Sequence, residues 1–365
     1  MMKPAACALF LCLALRLDAV PPAQWASPGE VVVSEEDMGM EDPHTGHFRS
    51  RYWFINGLLD DGTLLTMSLF QWRYGALGSA GLFILVSSPD QGLYVQETKL
   101  DDLESADEGL MYRFGDSAFE GDAAGARVRV RLADFSCDLD IRNLLNAWKP
   151  GDGYRYPTVR RDIFTLHLVT SPSAALSGAM TVRGRQRAVQ GWCYADRGLI
   201  VMPLSRMNSE QSSFRVFGSS GLPGEEPWML SLLESVSARA YGSREEATLL
   251  LARGGQWLMA AGEAEFAAQD YRRDGDVPYG FPHRFWVRAE QGGMLLTGEF
   301  VVSRLVYLND ILHRLPPLFR SVADAFIKRP VIYRLAGDFH GYLEQPDGSR
   351  QSLELKGQGE YSVMR

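Results

Sequence analysis

The sequence predicts a mainly β protein of sandwich or barrel type, and three observations carry that reading. Apolar and polar residues alternate at period two along most of the chain, turn-forming residues separate the runs, and only one segment has clear helical spacing. With 365 residues, 46% hydrophobic and 22% charged, the chain is long enough for two domains, each with a real core.

The elements follow in order. The chain opens on "MMKPAACALFLCLALRLDAVPPAQWA", where Lys3 precedes an apolar run over residues 5–15. That run is too short to span a bilayer and fits the hydrophobic region of a secretory signal, with cleavage after Ala19 or Ala23. Residues 1–23 are therefore expected to be a signal peptide and the protein to be exported, periplasmic or secreted; the alternative is a cytoplasmic protein whose leader does not function. Residues 24–48 read as a linker, in which His44 and His47 of "DPHTGHF" make only a weak metal pair. Residues 49–208 form the expected N-terminal β-domain. In it "LLTMSLFQW" sets Leu65, Met67 and Leu69 against Thr66 and Ser68, and "ARVRVRLADF" sets Val128, Val130 and Leu132 against Arg127, Arg129 and Arg131. Half-buried strands are predicted over 64–72 and 127–134.

Turn chemistry breaks the runs at "LDDGT", "KPGDG", "RDGDV" and "QPDGS". In the last, Pro346 pre-sets φ and Gly348 is free to take a positive one, so a hairpin is predicted there with a strand over 351–355. The most turn-rich internal stretch, "MNSEQSSFRVFGSSGLPGEEP", places a boundary near residue 208, and the C-terminal β-domain covers 209–365. "GEEPWMLSLLESV" suits a helix or a strand equally. The clear helix is "PPLFRSVADAFIKRP": Pro317 suits a first position, Leu318, Phe319, Val322, Ala325 and Phe326 share a face, and Lys328 and Arg329 precede Pro330. It is predicted over 317–328, where it could gate a barrel. No short internal repeat is visible.

Charge and motifs exclude several functions. A net charge of −8 argues against nucleic acid as a partner, and no segment beyond the leader is apolar enough to cross a membrane as a helix. No Ser-His-Asp order, glycine-rich phosphate loop or metal-ligand cluster occurs, so neither metal nor cofactor is expected. Without the leader only Cys137 and Cys193 remain. An oxidising compartment would let them pair, and two buried thiols are the equal alternative.

The stretch "AVQGWCYADRGLIVMPLSRMN" and the aromatic runs "RYWFING", "FQWRY" and "VPYGFPHRFWV" carry the candidate site. Single rings in β-barrels fill cores by default, but rings with polar tips beside Asn56, Gln71 and Gln190 also line cavities for large apolar ligands. These residues resemble the lipocalin-like superfamily of AttH proteins, carotenoid hydratases and eukaryotic survival factors. "YWFING" resembles its opening. "GRQRAVQGWCYADRGLIVMPLSRMN" is similar to its glycine-containing strand and Gln-Gly step, and "VPYGFPHRFWVRA" with "LVYLNDILHRLPPLFRSVADAFIKRPVIYRL" resembles its tail, in order over about three hundred residues. The likeness departs at "GWCYADR", where survival factors carry a histidine-bearing stretch. It implies two tandem lipocalin-like β-barrels, binding of sphingolipid-like or isoprenoid molecules or turnover of polyunsaturated ones, and, through the survival factors, oxidative stress response.

Three readings follow. The first is an exported carrier that binds and shuttles a lipid or other hydrophobic ligand, in transient contact with a membrane or membrane transporter, with Trp53, Asn56, Trp72, Gln190, Trp192 and Tyr194 lining its cavity. The alternative is a hydratase- or cyclase-type enzyme on an isoprenoid or polyene, with Asp196 as acid beside Trp192 and Tyr194. The third is an interaction module with a filled interior. Asp196 and Arg197 before Gly198 also fit an ordinary surface turn.

Overall fold

The computed structural model describes residues 33, 37, 48–105, 110–157, 163–202, 208–218, 226–273, 277, 279–310 and 330–364. The alternating runs become strands, because side chains on successive residues point to opposite faces and one apolar face must be covered. The first sheet contains β1 (Arg49–Leu59), β2 (Leu64–Tyr74), β3 (Leu77–Ser88), β4 (Gly92–Leu100), β5 (Glu104–Ser105), β6 (Leu110–Phe114), β7 (Ser117–Asp122), β8 (Gly125–Arg131), β9 (Phe135–Asn143), β10 (Tyr154–Arg155), β11 (Phe164–Val182) and β12 (Arg185–Val201). The second contains β13 (Asn208–Gly218), β14 (Trp228–Ser237), β15 (Glu245–Arg253), β16 (Gln256–Ala261), β17 (Glu265–Arg272), β18 (Phe281–Gln291), β19 (Met294–Asp310), β20 (Val331–Glu344) and β21 (Arg350–Val363).

Both sheets are antiparallel and share one plan. The first runs β4-β3-β2-β1-β12-β11-β9-β8-β7-β6-β5, with β10 on β11, and the second runs β16-β15-β14-β13-β21-β20-β19-β18-β17. In each, the first strand pairs with the last, β1 with β12 and β13 with β21. The first sheet curls, since Trp53 of β1 meets Phe119 of β7 edge-on at 5.1 Å and Tyr94 of β4 stacks on Phe135 of β9, strands far apart in the order. Its core gathers Trp53, Leu82, Phe119, Phe135 and Leu139. The second core gathers Phe214, Phe285, Phe300 and Phe339, with Phe214 stacked on Phe300 at 5.1 Å.

The sheets also pack against each other. Trp148, Val169 and Tyr194 of the first meet Phe217, Met229 and Leu250 of the second, and Leu64, Phe83 and Leu85 meet Val306 and Ala336. One polar network is sealed in this contact: the Thr66 hydroxyl donates to Gln358 Oε1 at 2.7 Å, and Gln358 Nε2 donates to Leu65 O at 3.0 Å.

The predicted strands over 64–72 and 351–355 lie within β2 and β21, and 127–134 overlaps β8, which ends at Arg131. The hairpin joins β20 to β21, with Gly348 at φ +82°. The segment left between helix and strand is β14. Its apolar run is continuous because Trp228, Leu230 and Leu232 enter the second core while Met229 packs on the first sheet. The first sheet ends at Val201 and the second begins at Asn208. The helix expected over 317–328 lies outside the described residues, as do the signal peptide and all of the linker except Val33, Asp37 and Phe48.

Of the two alternatives for Cys137 and Cys193, a disulfide or two buried thiols, the structure has the second: both are free and buried. Each faces the first core, but Cys137 is level with Met180 of β11 and Cys193 with Ala174. Six residues of strand, roughly 20 Å, separate those levels, and a disulfide cannot bridge such a gap.

Candidate functional site

Alternation along β12 sorts the quoted stretch into two environments. Cys193, Ala195 and Leu199 enter the first core, and Arg197 stands in line with them. Trp192, Tyr194 and Asp196 face the second sheet. Asp196 is thus carried into the contact between the sheets, only 3% exposed, beside Phe54 of β1 and Val169 of β11. Neither Asp196 nor Arg197 lies in a turn: they occupy opposite faces of a central strand.

The two oxygens of Asp196 have different surroundings. Oδ2 lies 3.4 Å from His167 Nε2 and 3.4 Å from an Arg215 terminal nitrogen. Oδ1 is buried with no hydrogen-bond partner among the described residues, which is costly in a closed core. Arg215 enters from β13, donates to Ser213 Oγ at 2.5 Å and lies over the Tyr194 ring at 4.9 Å. Burial works against its charge, but Tyr194, Asp196 and Glu360 more than compensate and hold it up. Burial, reinforced by the nearby Asp196 charge, raises the Tyr194 phenol above its ordinary range. The Tyr194 phenol therefore remains a neutral hydrogen-bonding group.

Tyr52 is the second phenol, and Gly198 makes room for it. Tyr52 of β1, Gly198 of β12 and His167 of β11 form one cross-strand row. A Cβ on Gly198 would stand 2.1 Å from the Tyr52 ring, so the ring lies where a side chain is missing. Burial and then the charge of Asp196 push the Tyr52 phenol well up. Arg334 of β20 closes the neighbouring contact, paired with Glu360 and stacked over Phe54 at 5.0 Å.

The six residues expected to line one cavity occupy several places. Trp192 and Tyr194 join Asp196 at the contact. Asn56 is in the same contact but belongs to the Thr66 network, 3.2 Å from its hydroxyl. Trp53 points into the first core, Trp72 stacks on Phe48 near the rim at 5.9 Å, and Gln190 is exposed. His167, Arg215 and Tyr52 were not singled out from the sequence. For the first two a signal existed: in "TLHLV" and "SSFRVFG" a charged or titratable group interrupts an apolar strand.

No family model matches the sequence, and no curated protein matches it. Solved structures do. An AttH-type protein of Nitrosomonas europaea superposes with a TM-score of 0.62 at 14% identity, over 95% of this chain and 100% of that one. CghA crystallised with Sch210972 gives 0.62 at 14%, over 87% and 88%. Kievitone hydratase of Nectria haematococca gives 0.56 at 11%, over 93% and 96%. The chain therefore has the fold of these AttH-type, CghA and kievitone hydratase structures.

Proposed function

We propose that the protein is a hydratase- or cyclase-type enzyme acting on an isoprenoid or other polyene, with Asp196 as the proton-transfer acid. The observation that carries this reading is the divided carboxyl: Oδ2 faces Arg215 and His167, while Oδ1 is buried without a partner beside two neutral phenols. A hydratase among the fold neighbours supports an enzyme ahead of a carrier.

In this scheme Asp196 first takes up a proton from solvent by way of His167 and then gives it to one carbon of a double bond, and a cation develops on the next carbon, facing the rings of Tyr52, Tyr194 and Trp192. In hydration, water forms the new C–O bond and returns a proton to the carboxylate. In cyclisation, a second double bond forms a C–C bond, and a carbon-bound proton returns instead. His167, more exposed than Asp196, links the carboxyl to solvent. A lipid carrier, exported and loading at a membrane, would use the same apolar contact without turnover.

Incubating the purified protein with squalene and geranylgeraniol in ¹⁸O-labelled water separates the outcomes. Hydration adds one labelled water, cyclisation leaves the mass unchanged but shifts retention, and Asp196→Asn should bind substrate and form neither product. Product formation unchanged in Asp196→Asn would remove the acid role. Lipid co-purifying with a protein that converts no polyene would favour the carrier.

A further inference from the structure

The end of the first sheet remote from Asp196 carries a polar cleft that the proposed reaction does not use. It lies between the β3–β4 and β11–β12 turns and encloses about 330 Å³. Val86, Tyr94 and Val182 of the first core form its floor, while Ser88, Asp90, Arg183 and Arg185 supply its hydroxyl and charged groups. Arg185 opens β12, so roughly 35 Å of strand separates the cleft from Asp196.

The arginines of the segment "VRGRQRAV" have unequal partners. Arg187 donates to the Asp61 carboxylate and, at 3.0 Å, to Thr63 Oγ1, so its charge is answered within the fold. Arg183 has neutral contacts instead: a terminal nitrogen donates to Leu93 O at 3.3 Å, and the guanidinium lies 5.5 Å from the centre of the Tyr94 ring. Among the described residues, neither Arg183 nor Arg185 pairs with a carboxylate. Asp134 accepts the Arg183 backbone N–H at its carbonyl, 2.8 Å away, and does not line the cleft.

The backbone is a second, independent pointer. Arg183 has φ +50° and Gly184 φ +77°, a two-residue hairpin turn whose first place favours Asn, Asp or Gly. Turn geometry thus gives no reason for an arginine, and the cleft that its side chain lines does. One negative group shares that cleft. Asp90 accepts the Ser88 hydroxyl, and this bond above all holds its carboxyl below the ordinary range, so it stays charged. Two guanidinium groups and one carboxylate around a single cleft complement a molecule with a dianionic end and a cationic end.

We infer that this cleft binds a small phosphate monoester bearing an amine, with its phosphate at Arg183 and Arg185 and its ammonium at Asp90.

Calorimetry on the full chain with O-phosphoethanolamine, inorganic phosphate, ethanolamine and glycerophosphoethanolamine tests it. O-Phosphoethanolamine should bind about three-fold tighter than inorganic phosphate, which lacks the ammonium, and ethanolamine should bind weakest. Arg183→Asn/Arg185→Gln should weaken both phosphates about ten-fold or more. Asparagine suits the turn, so the melting temperature should hold and a loss of binding is not a loss of fold. Asp90→Asn should make the two phosphates bind alike, and Asp196→Asn should change nothing. No binding of either phosphate, wild-type affinity in the double variant, or ethanolamine binding as tightly as O-phosphoethanolamine would overturn the inference. A preference that survives Asp90→Asn would remove the amine from it. Glycerophosphoethanolamine, the singly charged diester of a lipid headgroup, should bind more weakly than the monoester; equal binding would replace the free monoester with a membrane headgroup.

Discussion

The two sheets follow the same strand plan and reverse each other's inner chemistry. The first turns Arg51, Arg73 and Arg197 inward. The second turns Glu234 inward in register with Ser212 and Tyr361, and the Tyr361 hydroxyl donates to Glu210 at 3.0 Å. Burial pushes Glu234 up to about 7, Glu245 adds to the rise, and Ser212 and Arg155 pull against it. A curled antiparallel sheet decides where an inward side chain stands and leaves its charge to the residue that occupies the position. The candidate catalytic group lies in neither interior. It sits where the outer faces meet.

The strongest way to break the comparison is to damage each core equally. Phe119→Ala and Phe300→Ala should each cost about 3–5 kcal/mol in denaturant unfolding. The shared apolar contact should keep one transition in both variants; a second transition would mean that the sheets unfold separately.

The next prediction separates the interiors by pH. The folded-state value of Glu234, about 7, lies above its ordinary 4.5, so between these values the folded protein retains a proton that the unfolded chain releases. The stabilisation is complete below about pH 4.5 and falls away as pH rises through 7, by on the order of 2–3 kcal/mol. Thermal melts from pH 5 to 8 should show this slope, and Glu234→Gln should abolish it. A slope that persists in the variant would place its source elsewhere.

Glycines at two sites sharpen the contrast between contact and turn. Gly198→Ala should cost about 1–3 kcal/mol by displacing Tyr52, and should also impair turnover, because the phenol moves relative to Asp196. Gly348→Ala meets nothing within 4 Å and should cost only about 1 kcal/mol, through its left-handed backbone, with turnover intact. Equal effects on turnover would detach Tyr52 from the site.

The smallest effect concerns the thiols. Burial pushes Cys137 up to about 12 and Cys193 further still, so peptide mapping after alkylation should find both unmodified in native protein and both modified on unfolding. Native labelling of either would show the first core opening locally.

Local pattern alone specified much of this molecule. Alternation at Leu65, Met67 and Leu69 determined both the strand and its inward face, and Pro346 with Gly348 determined the hairpin, because these preferences act between near neighbours. The pairing of Tyr194 with Asp196 on one face was legible from their spacing. What tertiary structure decided was the other side of each contact. Trp53 and Asn56 are three residues apart, so alternation sends one into the core and the other to the second sheet. Cys137 and Cys193 share an interior but stand at different heights along β11, which the order of residues does not express. Arg215 reaches Asp196, and β13 repeats the role of β1, only because two curled sheets pack outer face to outer face. That juxtaposition depends on how whole sheets twist and bury area, a sum over many residues that no short stretch encodes.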